Sequence, residues 1–279
     1  MSVSNRRRAG TSAPMQRRFK RPHPSLLATE LPRALGELQA FTQAMPYLQT
    51  LPRGDGHRVL VMPGFTGDDR STAALRWFLV GRGYRAMPWR LGRNLGPTDH
   101  IIDGMDELLT RFVDGGERIS IVGWSLGGIF ARQLTFAYAD AVRSVITLGS
   151  PFQLHQGDRD LTNAAEAYEA ASVLHSTRAA RFVPYEDLPP MPVPTTNIYT
   201  RADGVVPWQS CVDVQGDRCE NVEVPGSHSG LGHNPFALAV IADRLAQADG
   251  AWQPYRPTGC LGSLVRVGPV PRPVDAVVA

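Results

Sequence analysis

Between residues 58 and 247 the hydrophobic pattern switches repeatedly between two forms. Short, mostly apolar runs occur at Val59-Leu60-Val61-Met62, around Ile119, Ile121 and Val122, over 142–148, at Asn197-Ile198-Tyr199-Thr200 and over 221–224. Runs of this length predict strands buried on both faces. A further strand is expected over 84–89. Between the strands lie stretches with helical spacing. These are 71–81, with Leu75, Phe78 and Leu79 on one face, a stretch from a Thr98 or Asp99 cap to Phe112, one from Ile129 to Tyr138, and one running to Gln247 with Asn234 as cap and Pro235 in its first turn. Strands alternating with helices across short turns predict an α/β fold, a mostly parallel sheet with helices on both faces.

Two stretches depart from the alternation. Residues 26–51 carry Leu27, Leu31, Leu35, Leu38, Phe41 and Met45 at helical spacing, which predicts a helix packed on the outside of the domain. Residues 152–195 begin with an alanine-rich helical stretch, 161–176, and continue through Pro184, Pro189, Pro190, Pro192 and Pro194 in an extended connection. Because this segment starts just after a strand end, it reads as a small cap or lid. The resulting partition is a disordered basic tail over 1–24, a main domain over 25–249 with the cap at 152–195, and an extension rich in Pro, Gly and Val over 250–279.

Composition narrows the classes. A chain of 279 residues with 43% hydrophobic and 20% charged content is an ordinary globular one. No apolar run reaches the ~18–20 residues that span a bilayer. No secretory signal is evident, because the basic first residues lead into no apolar core, and a cytoplasmic location is expected. The Arg-rich tail leaves peripheral membrane contact open. A net charge of +3, without a basic face interleaved with aromatics, argues against nucleic acid. Three cysteines argue against a disulfide framework, and Cys211 and Cys219 are expected as free thiols. The spacing of His228 and His233 fits no usual zinc motif, and neither a metal nor another cofactor is expected.

The candidate chemistry centres on Gly123-Trp124-Ser125-Leu126-Gly127-Gly128, set between a β-branched run and a helix. This is the G-x-S-x-G nucleophile elbow, a turn so tight that its flanking residues must be small. Asp203 in Arg201-Ala202-Asp203-Gly204 and His228 in Gly226-Ser227-His228-Ser229 each follow a predicted strand. In a parallel sheet the C-terminal strand ends share one edge, so Ser125, Asp203 and His228 can converge. A serine hydroxyl needs an imidazole to take its proton, and the imidazole needs a carboxylate to fix its tautomer. His233, His155 and His175 compete for the base, and Asp213 and Asp217 for the acid. The strand over 59–62 runs into Pro63-Gly64-Phe65, where a backbone N–H of Phe65 could join that of Leu126 to hold an oxyanion. Trp124 beside the serine is a candidate for substrate contact or for packing under the elbow.

These segments resemble the α/β-hydrolase family, in its lipase and esterase branch. The matching pieces are 59–67, GWSLGG at 123–128, LGSP at 148–151, TRADGVVPW at 200–208 and VPGSHSGLGHNP at 224–235. The oxyanion loop departs from it, reading Met-Pro-Gly-Phe where many relatives have His-Gly. The resemblance implies Ser125 as nucleophile, Asp203 as orienting acid, His228 as general base and oxyanion donors at Phe65 and Leu126. It implies hydrolysis of a small-molecule or lipid ester through an acyl-serine. An acyltransferase or thioesterase with the same triad, or a non-catalytic binder on this scaffold, are the alternatives.

Overall fold

The computed structural model describes residues 19–154, 160–178, 182–258 and 262–268. Most of the basic tail, His155, Cys260 and the end of the C-terminal extension lie outside the described residues.

Among the described residues seven strands form one sheet. In chain order they are β1 (Arg58–Met62), β2 (Arg85–Pro88), β3 (Ile119–Trp124), β4 (Val142–Leu148), β5 (Thr195–Tyr199), β6 (Cys219–Glu223) and β7 (Arg266–Val267). Their spatial order is β2-β1-β3-β4-β5-β6-β7, parallel from β2 through β6, with β7 antiparallel on the edge. The helices are α1 (Pro24–Ala28), α2 (Glu30–Leu48), α3 (Ala73–Gly81), α4 (Asp99–Asp114), α5 (Leu126–Ala137), α6 (Ala165–Ala171) and α7 (Pro235–Leu245).

The strands are apolar on both faces because each face has its own core. On one side Val59, Val61, Val122, Ile146, Leu148, Ile198 and Val222 pack with residues of α2, α3 and α7. On the other, Leu60, Met62, Ile119, Ile121 and Val145 pack with residues of α4 and α5. Alternate residues of β1 thus enter opposite cores, which is why its sequence shows no polar alternation. Thr98 and Asn234 cap α4 and α7 by accepting backbone N–H groups of the first turn.

Three expectations need correction. The helix over 26–51 is two helices, and its leucine stripe faces outward. Leu31 is 68% and Leu35 58% exposed, while Glu30, Ala34, Phe41 and Leu48 are buried. Helical periodicity alone cannot say which face turns inward, and here the charged face has buried partners. The alanine-rich stretch 161–176 is α-helical only over Ala165–Ala171. The Asn163 side chain donates instead to Gly204 O at 2.6 Å, and its own N–H to Val205 O. Finally, the extension after residue 250 adds β7 to the sheet rather than only draping over it.

Candidate active site

The strands β3, β4 and β5 end at one edge, and their last residues are tied together. Ser125 N–H donates to Leu148 O at 2.7 Å, and Gly149 N–H to Ile198 O at 2.8 Å. Ser125 sits between β3 and α5 with φ 51° and ψ −118°, a conformation that L-residues rarely adopt. The elbow is tight enough to demand Gly127. A Cβ there would lie 2.5 Å from Met62 O and 2.6 Å from Pro63 O, the end of β1. Gly64 is tight as well, though less so, since a Cβ would lie 3.1 Å from that of Ser125.

The loop that follows β1 is held by a residue that the sequence did not single out. Asn94 is fully buried. Its Nδ2 donates to Pro63 O at 2.8 Å, its carbonyl accepts Thr66 N–H at 2.7 Å, and its N–H donates to Gly67 O at 2.8 Å. This brace accommodates Thr66 at a φ of 62°. The N–H groups of Phe65 and Leu126 donate to no other loop or turn backbone among the described residues, and both residues line the cavity with Ser125.

Asp203 and His228 come together across 25 residues. Asp203 Oδ1 accepts the N–H groups of Val205 and Val206 at 2.8 and 2.7 Å. Its Oδ2 lies 2.6 Å from His228 Nδ1. A carboxylate oxygen committed in this way can only accept, so Nδ1 carries the proton and Nε2 is left as the free base. Asp203 is 3% and His228 6% exposed. Burial disfavours the charged imidazole, but Asp203, followed by Glu30, outweighs it and raises His228 above its ordinary value. His228 and Ser125 line the same cavity, yet no hydrogen bond joins their side chains.

Of the described competitors, three are held by partners of their own, although His175 also lines the cavity. His233 bonds to Ala34 O and His175 to Leu95 O, while Asp213 is paired with Arg132 at 2.7 Å and Asp217 is exposed. Trp124 lines the cavity, and its Nε1 donates to His228 O at 3.1 Å, which steadies the histidine loop. Cys211 and Cys219 are free and buried.

A second Ser–His–Asp arrangement lies at the other end of β3. His57 Nδ1 is 2.5 Å from Asp55, and its Nε2 is 2.9 Å from Ser120 Oγ. Ser120 is 1% exposed and does not line the cavity, so this constellation has no access to a substrate. Residue types alone do not separate the two; the elbow and the cavity do.

That cavity measures about 1020 Å³. Its walls include Phe65, Phe130, Phe152, Tyr168, Phe182 and Val206, and no Asp, Glu, Lys or Arg is among the described residues that line it. Among the described residues no helix is long and apolar enough to cross a membrane.

No family model matches the chain. Solved structures do. An alpha/beta hydrolase enzyme from a Medee basin deep-sea metagenome library is 15% identical over 71% of this chain and 92% of its own, with a TM-score of 0.51. A monoacylglycerol lipase of Paleococcus ferrophilus is 12% identical over 70% and 96%, with a TM-score of 0.49. An alpha/beta hydrolase from the sediment metagenome of the Mar Chica lagoon, Morocco, is 20% identical over 66% and 87%, with a TM-score of 0.46. The chain has the α/β-hydrolase fold.

Proposed function

We propose that this protein is a serine hydrolase that cleaves uncharged carboxylic esters through an acyl-serine. The observation that carries the reading is the buried Asp203–His228 pair, which opens on the same cavity as a serine held at positive φ. His228 Nε2 takes the Ser125 proton as Oγ adds to the ester carbonyl carbon. The resulting oxyanion accepts the N–H groups of Phe65 and Leu126. The carbon–oxygen bond to the alcohol then breaks, and His228 returns the proton to the departing oxygen. Water, deprotonated by the same imidazole, releases the carboxylic acid and restores Ser125. The open Ser125–His228 contact is compatible with this cycle, since catalytic hydrogen bonds commonly tighten only with substrate bound.

The size of the cavity and its lack of charged walls favour a bulky or long apolar acyl or alcohol group. Fluorophosphonate labelling and turnover of p-nitrophenyl esters of graded chain length, in wild type and Ser125→Ala, test the reading. Labelling and turnover by the wild type alone support it. A wild type that labels without turning over these esters retains the nucleophile and refutes the substrate class. A wild type that does neither refutes the enzyme reading. Added alcohol or thiol acceptors that capture the acyl group in preference to water would turn the hydrolase into an acyltransferase.

A further inference from the structure

The helix expected to pack passively on the outside reaches into the candidate site. Glu30, the first residue of α2, is 5% exposed, although it is a carboxylate. Its Oε1 accepts Gly204 N–H at 2.8 Å and His228 N–H at 3.2 Å, and its Oε2 accepts Ser229 N–H at 3.0 Å. Gly204 adjoins Asp203, so a single side chain grips both the acid loop and the histidine loop. Arg33, one turn on, pairs with Glu30 at 2.9 Å and donates to Ala202 O at 2.8 Å and Gly226 O at 3.1 Å. Glu37, a further turn on, accepts Ser227 N–H at 2.7 Å and Asn234 Nδ2 at 2.8 Å. Every charged side chain of α2 is thus spent on the two loops.

We propose that Glu30 is a positioning residue for the Asp203–His228 pair, fixing the distance between their loops and placing a second fixed negative charge behind the imidazole. The proposal rests on the serine-hydrolase reading of the site. A purely structural brace would need only an acceptor. A formal negative charge also favours the imidazolium that forms as Ser125 gives up its proton. The charged groups facing this position are Arg33 and Glu37 on α2, Asp203 on the acid loop and His228 itself. Burial alone would raise the Glu30 carboxyl. The N–H groups of Ser229, Gly204 and His228 together with the imidazole outweigh it and hold Glu30 low, keeping the charge in place.

Glu30→Gln removes the charge but keeps the shape and one acceptor oxygen. In the full-length protein kcat should fall roughly tenfold with KM almost unchanged, and the acid limb of the pH–rate profile should move to lower pH. Glu30→Asp keeps the charge but shortens the reach, so its kcat should fall while its acid limb stays at the wild-type position. An NMR titration of the His228 imidazole in a Ser125→Ala background reads the same effect without turnover and should show a lower midpoint in Glu30→Gln. Unchanged limbs and midpoints, or a loss of rate that only tracks the loss of folded protein, would overturn the proposal. Should Glu30→Gln not fold, Glu30→Asp decides, and wild-type kcat there overturns the proposal as well. Absence of fluorophosphonate labelling in the wild type would instead overturn the serine-hydrolase reading, and the imidazole titration still tests whether Glu30 acts on His228.

Discussion

Asp203→Asn should nearly abolish turnover while leaving the fold in place, and the geometry says why. The amide can sit in two ways. In one, its oxygen keeps the N–H groups of Val205 and Val206, and its NH₂ faces His228 Nδ1. In the other, the NH₂ faces those two N–H donors and leaves both unpaired at about 1–3 kcal/mol each. The first wins by roughly 2–6 kcal/mol, the sum over both donors. Nδ1 must then accept, so the imidazole proton moves to Nε2. The nitrogen facing the cavity becomes a donor, and Ser125 has no base. A loss of about 10³–10⁴ in kcat follows, equivalent to about 4–5.5 kcal/mol of transition-state stabilisation. Steady-state kinetics on a p-nitrophenyl ester, with Ser125→Ala as the floor and thermal melting as the control, measure it. An Asp203→Asn enzyme within tenfold of wild type, while Ser125→Ala is dead, would refute the tautomer reasoning and the assignment of the acid.

Asp213→Asn makes the complementary test. It leaves Arg132, 3% exposed, without its carboxylate partner and should destabilise by about 3–5 kcal/mol in denaturant melts, yet kcat of the folded fraction should stay near wild type. Gly127→Ala drives a Cβ into Met62 O and Pro63 O at 2.5 and 2.6 Å. It should destabilise by about 1–3 kcal/mol and lower kcat further as the oxyanion loop moves; wild-type kinetics would contradict the close approach. The two buried histidines give opposite pH signatures. His228 sits above the ordinary 6.5, so turnover should fall as pH drops through a midpoint above that value. Its own contribution to stability is full below 6.5 and is lost as pH rises through the raised value. Burial, only partly offset by Asp55, holds His57 below 6.5. Its contribution is present above 6.5 and is lost as pH falls through the lowered value, which acid melts of His57→Gln against wild type would expose.

The sheet was legible because parallel strands buried on both faces leave unbroken apolar runs, as in Val59-Leu60-Val61-Met62, and because glycines mark the elbow. Asp203 and His228 stood out because each follows such a run. What stayed hidden is what only long-range contacts decide. Glu30 bonds to groups 174, 198 and 199 residues away, and nothing local tells a buried carboxylate from a solvated one. For the same reason the helical spacing of Leu31 and Leu35 did not reveal that they face outward while Glu30 is buried. β7 is two residues long, too short for any period to show. The second Ser–His–Asp arrangement escaped notice because His57 precedes β1 rather than following a strand, and Ser120 lies inside β3 rather than at its end.

The strap formed by α2 also sets a schedule. Glu30 is synthesised 198 residues before His228, the group whose N–H it holds. At roughly 5–20 residues per second it waits on the order of 10–40 seconds for that partner. Until the last loop emerges, a growing chain can build the elbow and much of the sheet, but neither the histidine nor the carboxylate contact behind it exists. Under the proposed reading Ser125 is therefore in place long before its base, and the site is completed as a single late event, when the two ends of the core first meet.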